Sequence, residues 1–178
     1  MQLTIITINY NNAAGLQKTM ESVLKQTSKE FEYIIIDGAS TDGSVETIQQ
    51  INHSTFQPFS WISEPDTGIY NAMNKGIRIA KGEYIHFLNS GDWLVDEQVV
   101  ENMLKQITNQ EQRHKNANSF STHIDDSEWV LDILVGNVIA IRPDGKVRYK
   151  KNSNSPLSLY TFYSGTIEHT SAYIRRAL

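Results

Sequence analysis

Residues 83–92, Glu-Tyr-Ile-His-Phe-Leu-Asn-Ser-Gly-Asp, decide the fold. The first part of this stretch has the length and the apolar content of a buried strand. It then ends abruptly, and Gly91 permits a turn that other residues rarely make. Asp92 would project from the carboxyl end of the strand, where ligands bind in open α/β sheets, and its carboxylate suits a hard cation carrying phosphate oxygens. Taken alone, the stretch is equally compatible with a simple polar turn.

Strands and helices alternate on the amino-terminal side of this stretch. Short, β-branched segments predict strands over residues 3–8, 31–36 and 59–62, each followed by a polar turn. Apolar side chains at helical spacing predict helices after each strand and after Asp96. These side chains are Leu16, Met20, Val23 and Leu24; Val45, Ile48 and Ile51; Ile69, Met73, Ile77 and Ala80; and Val99, Val100, Met103, Leu104 and Ile107. The pattern predicts an α/β fold with a mostly parallel sheet.

Three local expectations concern element ends. Gly82 is expected to end the third helix as a C′ glycine. The polar composition of residues 108–127 predicts a long loop. A β-like run over residues 129–141, a turn at 142–146 and a return at 147–149 predict a hairpin.

Composition excludes several classes of protein. The 178 residues include no cysteine, so disulfides and thiolate metal sites are excluded. A net charge of −4 is unlike a basic nucleic-acid-binding domain, so no nucleic-acid partner is expected. No apolar run reaches the roughly 20 residues of a membrane span, and the amino terminus lacks the cationic region of a signal peptide. The expectation is a cytoplasmic protein.

Acidic residues follow three of the predicted strands, at Asp37, at Glu64 and Asp66, and at Asp92. Parallel strands place these ends on one edge, where clustered carboxylates repel one another unless a cation or hydrogen-bond donors are bound. Asp42 suits the cap of the second helix, which would leave Asp37 available to a ligand. Glu64 and Asp66 could instead only favour the start of the third helix. His86 is expected in the core.

Four ordered segments carry a resemblance to a known family. They are residues 4–11 (Thr-Ile-Ile-Thr-Ile-Asn-Tyr-Asn), 34–44 (Ile-Ile-Ile-Asp-Gly-Ala-Ser-Thr-Asp-Gly-Ser), 63–76 (Ser-Glu-Pro-Asp-Thr-Gly-Ile-Tyr-Asn-Ala-Met-Asn-Lys-Gly) and 87–92. Together they resemble the family 2 glycosyltransferases, in the branch that builds bacterial surface polysaccharides. The resemblance implies a GT-A fold, with a Rossmann-like donor half over residues 1–107 and an acceptor-side part over residues 108–178.

The resemblance also implies a function. The implied enzyme is a hexosyl- or N-acetylhexosaminyl-transferase that moves a sugar from a nucleotide-sugar donor to a glycan or lipid-linked acceptor. The transfer would invert the anomeric configuration, and the expected donor is a UDP sugar. It would use Mg²⁺ or Mn²⁺ and would work in the cytoplasm, with peripheral association at the inner face of the membrane compatible with a lipid-linked acceptor. The alternatives are a nucleotide-sugar-binding module without turnover and a sugar nucleotidyltransferase. A nucleotidyltransferase would normally have a Gly-rich phosphate loop after the first strand, which this sequence does not have.

Site residues follow from the same resemblance. Thr7, Asn9 and Tyr10 would line the base and ribose pocket, and Asp37 would accept hydrogen bonds from the base. The residues expected near the sugar and the diphosphate are Asp66, Asn74, Lys75, Asn89, Ser90 and Gly91. Asp92 and His169 would bind the metal, with the segment around His169 returning towards the donor site.

The sequence departs from the family pattern at Asn89 and Gly91, where acidic residues are usual, so weaker metal binding is expected. The family's catalytic base usually lies beyond an Arg-Arg segment. Here that segment, Arg175 and Arg176, lies two residues before Leu178. The base is therefore expected beyond Leu178, in a longer chain, and this segment alone could be inactive.

Overall fold

The computed structural model describes residues 2–118, 133–135, 138–141, 147–150 and 172–175. The strands are β1 (Leu3–Asn9), β2 (Phe31–Asp37), β3 (Ser60–Ser63), β4 (Tyr84–Phe87), β5 (Ile133–Val135), β6 (Val138–Ile141), β7 (Val147–Lys150) and β8 (Ala172–Arg175). The helices are α1 (Ala13–Leu24), α2 (Ser44–Ser54), α3 (Ile69–Ile79) and α4 (Val99–Asn118). Strand and helix alternate through α4, as predicted.

One sheet holds six of these strands in the order β3-β2-β1-β4-β8-β5. β1 to β4 are parallel, whereas β8 pairs antiparallel with β4 and β5. β6 and β7 form a separate antiparallel pair, which confirms the predicted hairpin. β8 was not predicted, because its partner β4 is distant in sequence and pairing of this kind leaves no local signal.

Helices cover both faces of the parallel strands. All seven residues of β1 are buried, because alternate side chains pack under different helices. On one face the core joins the sheet to the apolar stripes of α1, α2 and α4. On the other face it joins the sheet to α3 through Ala72, Met73 and Ile77. His86 is 1% exposed, in agreement with its expected place in the core.

The structure corrects two expectations about α3 and its end. Ile69, which was expected on the packed face of α3, is 45% exposed. Gly76 lies on that face instead, where there is no room for a side chain, because a Cβ there would lie 2.7 Å from Ile6. Gly82 is not the C′ residue, since α3 ends at Ile79 with Ala80 as its C-cap. Gly82 is needed instead because a Cβ there would lie 2.5 Å from the Thr4 nitrogen.

The expected loop after residue 107 is also wrong over its first part. α4 continues to Asn118, through a polar segment without an apolar stripe. Its Gln, Glu, Arg, Lys and Ala residues favour helix without leaving the periodic signal on which the expectation relied. Residues 119–127 lie outside the described residues. No helix in the described part of the chain is long and apolar enough to cross a membrane.

Candidate functional site

Three of the parallel strands, β1, β2 and β3, end level with one another at one edge of the sheet. Asn9, the last residue of β1, is the register partner of Asp37 in β2, and Asp37 is the partner of Ser63 in β3. The loops that follow these strands therefore meet at this carboxyl edge. The loop after β4 reaches the same edge, where the Ser90 nitrogen donates to the Ile8 carbonyl over 3.0 Å. The predicted convergence of the strand ends is thus present.

Asp37 is at the centre of this edge, but its carboxylate is already fully bonded. Oδ1 accepts from Asn9 Nδ2 (2.7 Å) and Ser40 Oγ (2.6 Å), and Oδ2 accepts from the Ser40 nitrogen (2.9 Å) and Ser63 Oγ (2.6 Å). Two donors on each oxygen fill the acceptor capacity of a carboxylate. Asp37 is also fully buried, so its carboxylate is bonded by protein groups in this structure, and its expected hydrogen bond with a base stays a prediction.

The electrostatics of Asp37 follow from these contacts. Burial raises its pKa, and the hydrogen bonds from Ser40, Ser63 and Asn9 lower it by more, so the net pKa lies below the ordinary value. The carboxylate is therefore ionised near neutral pH. Its charge is held by donors from three other parts of the chain, which are β1, the loop after β2 and β3.

Thr7 and Asn9 lie behind the edge rather than on its surface. The Thr7 hydroxyl is fully buried, 3.0 Å from the Tyr33 hydroxyl, whose pKa is raised by burial. Asn9 is 1% exposed and turns its Nδ2 towards Asp37 and Ser40. Its Oδ1 is buried and accepts no hydrogen bond from the described residues. A ligand N–H or a water would relieve the cost of burying that acceptor.

The loops after β1 and β2 are interlocked. The Asn11 nitrogen donates to Ser40 Oγ (2.8 Å), and the Thr41 nitrogen donates back to Asn11 Oδ1 (2.9 Å). Asn11 and Ala39 both have positive φ, 47° and 60°, a conformation unusual for alanine. Asp42 accepts from the Ser44 nitrogen and hydroxyl at the start of α2 and from the Ala13 nitrogen at the start of α1, but the N-cap of α2 is Gly43, one residue after the predicted cap.

Gly38 brings Asp66 and Tyr10 together. A Cβ built on Gly38 would lie 2.8 Å from Asp66 Oδ2 and 3.1 Å from the Tyr10 ring. The other oxygen of Asp66, Oδ1, accepts from the Gly68 nitrogen and shapes the turn into α3. The carboxylate of Asp66 and the exposed ring of Tyr10 thus flank the end of β2, in front of the buried Asp37.

Lys75 is tied to the loop that precedes its own helix. Its Nζ lies 2.9 Å from Glu64 Oε1 and donates to the Pro65 carbonyl over 2.8 Å. These contacts hold the loop after β3 against α3. Asn74 is exposed on α3. The expectation that both residues lie near a diphosphate is not tested by these contacts.

Asn89 to Asp92 form a tight turn at the end of β4. The Asp92 nitrogen donates to the Asn89 carbonyl over 3.0 Å, and Gly91 has a φ of 101°, where glycine is favoured. Asn12, the N-cap of α1, donates from Nδ2 to the Ser90 carbonyl over 3.1 Å. The turn that carries Asp92 is therefore joined to the loop after β1.

Exposed aromatic side chains border the same edge. Tyr10 is 67% exposed, Tyr70 at the start of α3 is 79% exposed, and Trp93 next to Asp92 is 39% exposed. The Lys18 ammonium covers one face of Trp93, 3.1 Å from the ring centroid. Exposed aromatic rings beside polar groups are typical of binding surfaces for molecules with both apolar and polar parts.

The fit of a divalent cation is limited to one kind of site. Within the described residues no group of three His, Cys, Asp or Glu side chains could hold a metal. His169 lies outside the described residues. Asp92 and the oxygens of the turn provide hard donors, and Mg²⁺ commonly binds through one or two carboxylates together with substrate phosphates. The residues thus fit a cation that arrives with a diphosphate.

Sequence reasoning missed several residues that build this edge. Ser40 and Ser63 complete the shell of Asp37, while Asn12 and Thr19 of α1 contact the Asp92 turn. Asn12 could have been found, because an asparagine just before an apolar helical pattern is a typical N-cap. The three hydroxyl residues left no such signal, since their partners come from other strands and loops.

Two solved structures resemble this chain. The mannosyltransferase PcManGT from Pyrobaculum calidifontis, in complex with GDP-Man and Mn²⁺, has a TM-score of 0.55 and 21% identity, over 58% of this chain and 31% of that one. Residues 1–349 of S. aureus TarS, in complex with UDP-GlcNAc, have a TM-score of 0.55 and 22% identity, over 62% of this chain and 32% of that one. These likenesses show the fold, which is of the GT-A type.

Sequence relatives carry related names. An uncharacterized glycosyltransferase of Mycobacterium tuberculosis, Rv1514c, is 41% identical over 91 residues, which are 51% of this chain and 34% of that protein. Glycosyltransferase GlyA of Streptococcus pneumoniae is 27% identical over 136 residues, 76% of this chain and 16% of that protein. The matched regions span about a third or less of these relatives.

The family itself is shown by a match over almost the whole chain. The family model for glycosyl transferase family 2 matches residues 4–177. The match includes the four parallel strands and every loop of the carboxyl edge. The chain belongs to glycosyl transferase family 2.

Proposed function

We propose that this chain provides the donor site of an inverting glycosyltransferase that moves a sugar from a nucleoside diphosphate sugar to a glycan or lipid-linked acceptor. The observation that carries the proposal is the carboxyl edge, where Asp66 and Asp92 flank interlocked loops within a family 2 chain. The complexes of the two similar structures with GDP-Man and UDP-GlcNAc support a nucleotide-sugar ligand. We take a UDP sugar as the first donor to test.

The proposed roles follow the placement of the side chains. Tyr10 would contact the base or the ribose, because its ring is exposed beside the end of β2. Asn9 Oδ1, a buried acceptor among the described residues, would accept an N–H of the base. Asp37 would support this pocket from behind, since its carboxylate is filled by protein donors. Asp66, Asn74, Lys75 and the backbone of Ser90 and Gly91 would face the sugar and the diphosphate.

Asp92 would hold Mg²⁺ or Mn²⁺ at the turn after β4, with Asn89 beside it. The cation would supply positive charge to the departing diphosphate. In the reaction the acceptor hydroxyl forms a bond to the anomeric carbon, the bond from that carbon to the diphosphate breaks, and a base takes the hydroxyl proton. A cytoplasmic location, at the inner face of the membrane where the acceptor is lipid-linked, belongs to the same proposal.

Calorimetric titration with UDP, with and without Mn²⁺, tests the donor site. We expect binding that strengthens with Mn²⁺ in the wild type and loses this dependence in Asp92→Asn, which keeps the shape of the side chain. The control is Glu97→Gln, which replaces an exposed carboxylate after the same turn and should bind UDP like the wild type. If folded wild-type protein binds neither UDP nor GDP, the donor-site assignment is wrong. Binding without sugar transfer in a longer chain would favour a binding module.

A further inference from the structure

Four side chains on α1 and at its two ends hold the segment after β4 by its backbone. We call Asn12, Thr19, Ser22 and Gln26 the α1 seam. Ser22 Oγ accepts from the Leu94 nitrogen (3.1 Å), and Gln26 bonds the Asp96 carbonyl (2.6 Å) and the Val100 nitrogen (3.0 Å). Asn12 bonds the Ser90 carbonyl, as described above. Their helical spacing places the seam along one side of α1.

Thr19 is the member of the seam that contacts the Asp92 turn itself. Its Oγ1 lies 2.6 Å from the Asp92 carbonyl and accepts from the Gly91 nitrogen over 3.0 Å. Two other carbonyls, of Gly15 (3.0 Å) and Asn89 (3.4 Å), are within reach of the same hydroxyl, and the Asp92 carbonyl is the closest. One hydroxyl therefore binds the backbone before Gly91 and after Asp92.

The hydroxyl has a rigid support. Thr19 is fully buried, as are its neighbours Leu16, Met20 and Val23 on the packed side of α1. Glycine at position 91 leaves the turn more backbone freedom than any other residue would. A fixed donor and acceptor on α1 removes that freedom by holding the peptide group before Gly91 and the peptide group after Asp92, which bracket the two residues.

We propose that Thr19 is a positioning residue that sets the orientation of Asp92 towards the metal–diphosphate group. This inference rests on the proposed function, because it assigns a purpose to Asp92. Residues that orient a metal ligand typically change metal affinity by about 10-fold to 100-fold when they are substituted. Thr19 acts on the backbone that carries the ligand, so a similar effect is expected.

The test compares Thr19→Val, which keeps the shape and removes the hydroxyl, with Thr19→Ser, which keeps the hydroxyl. Thr47→Val is the matched control, since the Thr47 hydroxyl donates to the Gly43 carbonyl of its own helix, as a helical threonine does. Two properties are measured on the whole chain. The first is amide hydrogen exchange at residues 89–94 in metal-free protein, and the second is the Mn²⁺ concentration that half-saturates UDP binding.

In Thr19→Val we expect faster exchange at Gly91 and about a 10-fold higher half-saturating Mn²⁺ concentration, with metal-free UDP affinity within about 2-fold of wild type. Thr19→Ser and Thr47→Val should remain near the wild type in both properties. Unchanged Gly91 exchange in Thr19→Val would overturn the proposal. An equal loss of metal-free and Mn²⁺-dependent UDP binding would overturn it too, because it would indicate a general structural role.

The experiment also separates this inference from the proposed function. If wild-type protein binds no nucleotide with or without Mn²⁺, the donor-site assignment is wrong, and the proposed role of Thr19 in metal binding is wrong with it. If wild type shows Mn²⁺-dependent binding that Thr19→Val retains in full, the donor site stands and only the positioning role is overturned.

Discussion

Asn9 Nδ2 donates a hydrogen bond to Asp37 Oδ1 over 2.7 Å, between the last residues of two adjacent parallel strands. The pair is buried, and Ser40 and Ser63 complete the shell of the carboxylate. Asp37 thus connects β1, β2, β3 and the loop before α2. Its four hydrogen bonds from protein groups give it a structural role at the base of the candidate donor site.

Substitution of Asp37 should therefore lower stability. Asp37→Asn keeps the shape but places an amide group against donors, and we expect the free energy of unfolding to fall by about 3 kcal/mol, since hydrogen bonds to a charged group are the stronger kind. Urea denaturation followed by circular dichroism measures the change, with Glu30→Gln as an exposed control. An Asp37→Asn protein as stable as wild type, but unable to bind UDP, would show that Asp37 acts as a ligand instead.

The lowered pKa of Asp37 predicts an acid-sensitive fold. Because the pKa is lower in the folded state than the unfolded value of about 3.9, ionised Asp37 stabilises the fold above that value. This contribution is lost as the pH falls from there through the folded pKa. The free energy of unfolding of wild type should decrease more steeply than that of Asp37→Asn below about pH 4. Parallel slopes in urea titrations at several pH values would contradict this expectation.

Gly38 offers a way to alter the pocket without unfolding the protein. In Gly38→Ala the new methyl group would displace the Asp66 carboxylate and the Tyr10 ring, both of which are ends of side chains that can move. We expect stability within about 1 kcal/mol of wild type, and UDP affinity that is clearly weakened. Calorimetry and urea denaturation measure the two effects. Unchanged UDP affinity in a folded variant would exclude Asp66 and Tyr10 from the site.

Gly91 and Gly43 are a matched pair of glycines at backbone conformations that would strain any other residue. Their φ angles are 101° and 93°, but only Gly91 lies in the Asp92 turn, while Gly43 is the N-cap of α2 with open space around its Cα. Alanine at either position should cost about 1–3 kcal/mol of stability. Only Gly91→Ala should raise the Mn²⁺ concentration needed for UDP binding. Equal effects of the two substitutions on Mn²⁺ dependence would contradict the placement of the metal at this turn.

Local patterns predicted most of the fold. The β-branched runs of β1 and β2 and the apolar stripes of α1 and α4 are strong signals, and their alternation implies a parallel sheet whose acidic ends share an edge. The polar end of α4 and the strand β8 were missed. The first has helix-forming residues but no apolar stripe, and the second depends on pairing with a strand far away in sequence.

The site was predicted less completely than the fold. The residue types and their edge could be inferred, because parallel strands bring their ends together. Which groups bond to which could not, since the shell of Asp37 depends on the register of three strands and on the conformation of Ala39 in the following loop. The sequence alone does not show whether the Asp37 carboxylate is open to a ligand or already accepts hydrogen bonds from Ser40 and Ser63.

The α1 seam has a consequence for how this chain can diverge. Almost all of the bonds that it makes to residues 89–100 are to peptide groups, and peptide groups are the same whatever side chains they carry. The path of the segment is therefore specified by Asn12, Thr19, Ser22 and Gln26, while substitutions at positions such as 89 or 93 leave that path intact. The side chains at the end of β4 could accordingly change one at a time while the backbone beneath them keeps its course.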